Sequence, residues 1–124
     1  MFSHLSPEYL GAWLDYLLGL LHPGGHLVIT TRGREFVDTL ARDEREGRLS
    51  DVARLLPPSA ELLDRYEKGL LQFYPTGGGG ELSSGFYGEA IVPRGYFEDR
   101  YGQALRAFVE HVPHISQAIV VLQK

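Results

Sequence analysis

Leu10, Trp13, Leu14, Leu17, Leu18 and Leu21 recur at i, i+3, i+4, i+7, i+8 and i+11, and this single apolar stripe predicts a helix from about Pro7 to Leu21. Ser6 is placed to accept a hydrogen bond from the first-turn amides, Pro7 suits the first helical position, and Glu8 complements the positive end of the helix dipole. Pro23 cannot continue the helix, and Gly24 or Gly25 can take the left-handed conformation that closes it. His22 suits the helix's negative end, and His26 begins the next element. The run His26-Leu27-Val28-Ile29-Thr30-Thr31 is β-rich without strict polar alternation, so it predicts a strand covered on both faces, as in a parallel sheet.

Beyond it, Phe36, Val37, Leu40 and Ala41 share one face of a second predicted helix, Arg34 to about Arg48, whose opposite face is rich in salt-forming residues. Asp51 to Leu56 reads as a short helical turn broken by Pro57-Pro58, and Ser59 to Lys68 as a third helix with Gly69 at its exit. Leu70 to Tyr74 reads as a short strand, and Pro75 to Ser84, with four consecutive glycines, as a mobile or tightly turned loop unsuited to packing. Gly85 to Tyr96 has no clean period, and Pro93 to about Gly102 reads as a short helical turn. Leu105 to Val112 and Gln117 to Gln123 are β-rich runs joined by four residues, a spacing suited to an antiparallel pair.

Composition narrows the class. With 124 residues, 44% hydrophobic and 23% charged, the chain reads as one globular α/β domain able to bury roughly two-thirds of its unfolded surface. The absence of cysteine excludes a disulfide framework, a thiolate zinc site and a cysteine nucleophile, and leaves the cytoplasm as the default location. A formal net charge of −4 argues against a nucleic-acid partner. Tyr9 to Leu21 is interrupted by Asp15 and too short to span a bilayer, so no signal peptide or membrane anchor is expected.

Several stretches together resemble the carboxyl-terminal half of a class I S-adenosylmethionine-dependent methyltransferase. Phe2-Ser3-His4-Leu5 looks like the segment following the fourth strand of that fold, and Leu20-Leu21-His22-Pro23-Gly24-Gly25-His26-Leu27 like its Pro-Gly-Gly turn into the fifth. Thr30-Thr31-Arg32-Gly33 resembles the Thr-Thr-His-Gly stretch closing that strand in some members, with Arg32 in place of histidine. Ser84-Gly85-Phe86-Tyr87-Gly88-Glu89 is similar to a loop near the acceptor side, and Gln117 to Lys124 to the final reversed strand, with Ala118 replacing a frequent aspartate. Arg34 to about Gln103 would be the variable insertion.

The resemblance implies an incomplete Rossmann-like sheet: one parallel strand, an antiparallel terminal pair, and helices. It places the family's donor-binding glycine turn and acidic residues upstream of Met1, which leaves open that Met1 is not the biological start. Phe2, Ser3, His4 and Leu5 are then the expected contacts to S-adenosylmethionine, bound only in an intact or assembled form. Thr31, Arg32, Tyr74, Phe86 and Tyr87 are the expected contacts to a small-molecule acceptor, and Glu89, beside aromatic residues, is the candidate general base. Tyr96 completes the aromatic-rich set, for which core or lid packing is the competing reading.

Other chemistries find less support. Gly77 to Gly80 lacks a preceding buried strand, a following helix and the Lys-Ser or Lys-Thr ending of a phosphate loop. His111 and His114 are three apart, but Pro113 puts them at a turn, and no metal is expected. No Gly-x-Ser-x-Gly pentapeptide is present, so Ser83, Ser84 and Ser116 read as turn residues, while Ser3 and His4 either cap the first helix or touch ligand. The alternative to a methyltransferase portion, inactive alone, is a non-catalytic interaction module. In that reading the edge of His26 to Thr31 drives homo-oligomerisation or pairing with an upstream polypeptide.

Overall fold

In a computed structural model the described residues are 2–124. They form a mixed α/β fold with four α-helices, a three-stranded sheet and a two-stranded one. A 3-10 turn at Phe2–His4 leads into α1 (Pro7–Leu20), β1 (His26–Thr31) and α2 (Arg34–Arg45). A second 3-10 turn (Ala53–Leu55) precedes α3 (Ser59–Glu67), β2 (Gln72–Tyr74), β3 (Glu89–Ile91), α4 (Arg94–Tyr101), β4 (Leu105–Val109) and β5 (Ala118–Gln123).

The start of α1 is built differently from the expected cap. Ser6 is its N-cap, yet the Ser6 side chain makes no capping bond; instead its N–H donates to the Phe86 carbonyl at 3.0 Å. The chain there is held by a neighbouring segment, and Pro7 at the first position has no amide to satisfy. Leu10, Leu14 and Leu18 of the predicted stripe face the core, but Trp13 is 49% exposed. After the helix, Gly24 does take the left-handed backbone (φ 82°), and its amide donates to the Lys124 carbonyl, turning the chain into β1 beside β5.

Sheet order is β1-β5-β4, with β5 antiparallel to both neighbours; Thr31 lies opposite Ala118 and His26 opposite Gln123. β1 therefore has an antiparallel ladder on one edge, and the expectation of cover on both faces fails. Leu27, Ile29 and Thr31 face inward, whereas Val28 on the other face is 61% exposed. α1 and α4 pack with the inner face, enclosing Phe97, Val120 and Leu122. A second cluster joins Val37 and Leu40 of α2 to Leu62 and Tyr66 of α3 and Ile91 of β3.

β3 lies in the stretch without a period because all three of its residues are buried, which leaves no polar alternation to read. It pairs antiparallel with β2, with Tyr74 opposite Glu89. The glycine-rich loop between them is tightly turned, with left-handed residues at Gly77, Gly79 and Gly80 and a bridge from Gly79 to Leu82. Most of it, Gly78 to Gly85, is exposed, and it is tied down at Gly77, whose amide donates to the Tyr87 carbonyl.

Candidate functional site

Three segments far apart in sequence meet at the carboxyl end of β1. The first is Ser3 to Ser6, the second Thr31-Arg32, and the third Phe86 to Glu89. Backbone bonds stitch the first to the third: Gly88 N–H donates to the His4 carbonyl at 2.9 Å, Leu5 bridges Tyr87, and Ser6 N–H donates to Phe86. The second joins through Val92 N–H, which donates to the Arg32 carbonyl at 3.0 Å. Gly88 is indispensable to this arrangement, since a Cβ there would lie 2.1 Å from the Tyr74 carbonyl oxygen.

Within the cluster Arg32 Nη1 forms an ion pair with Glu89 Oε2, the side chains being only 19% and 10% exposed. Glu89 Oε1 lies 3.5 Å from His4 Nδ1. The same nitrogen lies 2.8 Å from the Gly88 carbonyl oxygen. A carbonyl can only accept, so Nδ1 carries the hydrogen and the neutral ring keeps its lone pair on Nε2. The Tyr87 ring stacks on the imidazole, with centroids 5.0 Å apart and planes within 5°. Arg32 lies over the Phe36 ring at 4.1 Å, and burial, opposed by Glu89, draws its pKa below the ordinary guanidinium value. Two hydroxyls at this end, Ser3 Oγ and Thr31 Oγ1, are buried without a hydrogen-bond partner among the described residues. An unmet buried hydroxyl costs about 1–3 kcal/mol.

Alongside, Thr30, Arg32, Phe36, Ile115, Ser116 and Gln117 line an open cleft of about 460 Å³. It gives the outer face of Arg32 access to solvent.

Of the residues expected at a ligand site, Ser3, His4, Leu5, Thr31, Arg32, Tyr87 and Glu89 are gathered here. Phe2 instead packs against the main core. Tyr74 sends its hydroxyl away, donating to Gln72 Oε1 at 2.7 Å and accepting from Arg65 at 3.3 Å. Phe86 tilts onto Tyr9, with ring centroids 5.7 Å apart. Sequence reasoning missed Gly88, for which no local signal exists, and the exposed row Tyr9, Trp13 and Tyr16. That row has a signal: i, i+4 and i+7 is a second stripe on α1.

No protein-family model, curated protein or solved structure matches the chain. Among the described residues no group of three or more His, Asp or Glu could hold a metal ion, and no helix is long and apolar enough to cross a membrane.

Proposed function

We propose that the chain forms the acceptor-side wall of a methyltransferase-like α/β domain, in which the neighbouring part of a Rossmann-like sheet would be supplied by another polypeptide segment. The carrying observation is the convergence of Ser3 to Leu5, Thr31-Arg32 and Tyr87 to Glu89 at the carboxyl end of β1. That is the end of an α/β strand at which ligands are usually bound. A reversed last strand, β5, hydrogen-bonded to the strand that follows the Pro-Gly-Gly turn, is consistent with the same reading.

S-adenosylmethionine itself does not fit the described residues alone. Its ribose calls for a free carboxylate and its charged end for a glycine turn at a helix start. Here the buried carboxylate, Glu89, is held by Arg32, and Gly77, Gly79 and Gly80 lie in a β2–β3 loop with no helix behind it. The residues of this chain would therefore bind and orient the acceptor, touch the donor only at Ser3 to Leu5, and require assembly for transfer.

Nuclear magnetic resonance titration with S-adenosylmethionine tests this. The expected result is weak, millimolar-range movement confined to the amides of Ser3, His4 and Leu5. Tight stoichiometric binding by the monomer, or no movement at these residues, counts against it.

A second reading, an interaction module, is favoured by the open edge of β1. Lys124 N–H donates to the Gly25 carbonyl on the β5 side, while the Arg32 carbonyl accepts from Val92 on the other side. By strand parity Val28 and Thr30 turn their backbone groups toward that other side, where no strand among the described residues pairs with them. Sedimentation across a concentration series tests it: self-association supports the module, and a monomer at the highest concentration contradicts self-pairing.

A further inference from the structure

The acceptor-side reading leaves the chemical class of the acceptor open, and the cleft beside Arg32 narrows it. This cation is fixed from two directions: Nη1 is ion-paired with Glu89, and the guanidinium lies 4.1 Å over the Phe36 ring. A guanidinium carries five N–H donors in a planar fork, and no hydrogen bond joins those of Arg32 to any described residue other than Glu89. The Arg32 side chain is 19% exposed, and it lines the open cleft of about 460 Å³.

The rest of that cleft is amphipathic. Phe36 and Ile115 give it apolar wall, and Thr30 and Ser116 bring hydroxyls to it. One side is the β4–β5 link, a closed turn in which the Ile115 N–H donates to the Val112 carbonyl at 3.2 Å, so this wall is pre-shaped. A mostly apolar recess with a few placed polar groups is the form of a small-molecule site.

Charge decides between anions. The Glu89 carboxylate already offsets Arg32, so the pair attracts a second anion less than a lone guanidinium would. A singly charged, planar carboxylate matches the fork and can take parallel N–H bonds from it. A phosphate dianion would bring twice the repulsion from Glu89.

We propose that this cleft binds a small organic acid with a compact apolar body, its carboxylate accepting N–H bonds from Arg32 and its body resting among Phe36 and Ile115. The inference rests on the acceptor-side reading, for which it names the acceptor as a carboxylic acid.

The test uses the intact chain with no methyl donor. Benzoate, benzamide and phenyl phosphate are titrated at neutral pH by nuclear magnetic resonance, read at the amides of Thr30, Phe36, Ile115 and Ser116 and at the side-chain Nε–H of Arg32. Benzoate should saturate these shifts; benzamide, of the same shape without the charge, should bind about fivefold or more weakly, and phenyl phosphate no more tightly than benzoate. Substituting Arg32 would also strip Glu89 of its partner, so the variant used is Ile115→Asp, at an exposed position of the link. It should weaken benzoate about fivefold or more and leave benzamide within about twofold, whereas Arg94→Gln, outside the cleft, should change neither. No saturation by benzoate, equal affinity for benzamide, tighter binding of phenyl phosphate, or an equal effect of Arg94→Gln overturns the proposal. Because S-adenosylmethionine is absent throughout, failure of benzoate to bind removes the organic-acid acceptor, while the titration read at Ser3 to Leu5 judges the methyltransferase reading separately.

Discussion

The two ends of β1 are opposites. At its start the strand leaves a Pro-Gly-Gly turn, is tied to the rest of the molecule through Gly24, Gly25 and Lys124, and exposes Val28 to solvent. At its finish, five residues later, Thr31 is fully buried and Arg32 is held by Glu89 and Phe36. Intrinsic strand preference is much the same along the run. What differs is the neighbourhood: the far end is closed by Ser3 to Ser6 and by β3, and of the polar groups in its interior Arg32 and Glu89 are matched to each other while Ser3 Oγ and Thr31 Oγ1 are not. The open end presents His26 and Val28 to solvent. One strand thus carries a potential binding site at one end and a potential pairing edge at the other.

Substitutions can break this contrast. The largest effect is expected for Arg32→Ala, which leaves Glu89 buried without its cation; the loss should be about 3 kcal/mol, measured by urea unfolding. Gly88→Ala comes next, at about 2–3 kcal/mol, because the new Cβ must displace the Tyr74 carbonyl and with it the carbonyl that holds His4. Thr31→Val should go the other way. Removing an unpartnered buried hydroxyl is expected to stabilise the free chain by about 1 kcal/mol, and destabilisation would reveal a partner for that hydroxyl in solution. At the open end, Val28→Lys should change stability by less than about 0.5 kcal/mol while reducing any concentration-dependent association seen in sedimentation.

A comparably small effect belongs to a site away from β1. Asp15 accepts from the Tyr101 hydroxyl and from Arg100, each at 2.7 Å, and these hydrogen bonds hold its pKa below the ordinary 3.8. A carboxyl depressed in the folded state contributes stability above its unfolded value and loses it as pH falls through the folded one. Because the side chain is half exposed, the advantage of wild type over Asp15→Asn should be only about 0.5 kcal/mol at pH 7 and should shrink below pH 3.8.

Local signals made the frame of the molecule legible. Pro7, Pro23 and Gly24 bracket α1 in the sequence as they do in space, and the four-residue link before Gln117 correctly marked β4 and β5 as antiparallel neighbours. Periodicity misled where cover was not what the residue types suggest: Trp13 sits on the exposed side of α1, and β1 is open at Val28. β3 carried no pattern because burial on both sides erases alternation, and without β3 the position of Glu89 relative to His4 and Arg32 could not be derived. The site residues were nameable because they looked chemical. Their convergence depends on contacts more than fifty residues apart, such as His4 with Gly88, which no short window contains.

That convergence is most directly tested by a double-mutant cycle on Arg32 and Glu89, with Arg32→Met, Glu89→Leu and the pair compared by equilibrium unfolding. Each single change should be strongly destabilising and the double change nearly neutral relative to either, giving a coupling energy of about 2 kcal/mol or more. Additive losses, with coupling below about 0.5 kcal/mol, would mean that the end of β1 and the start of β3 do not meet as described.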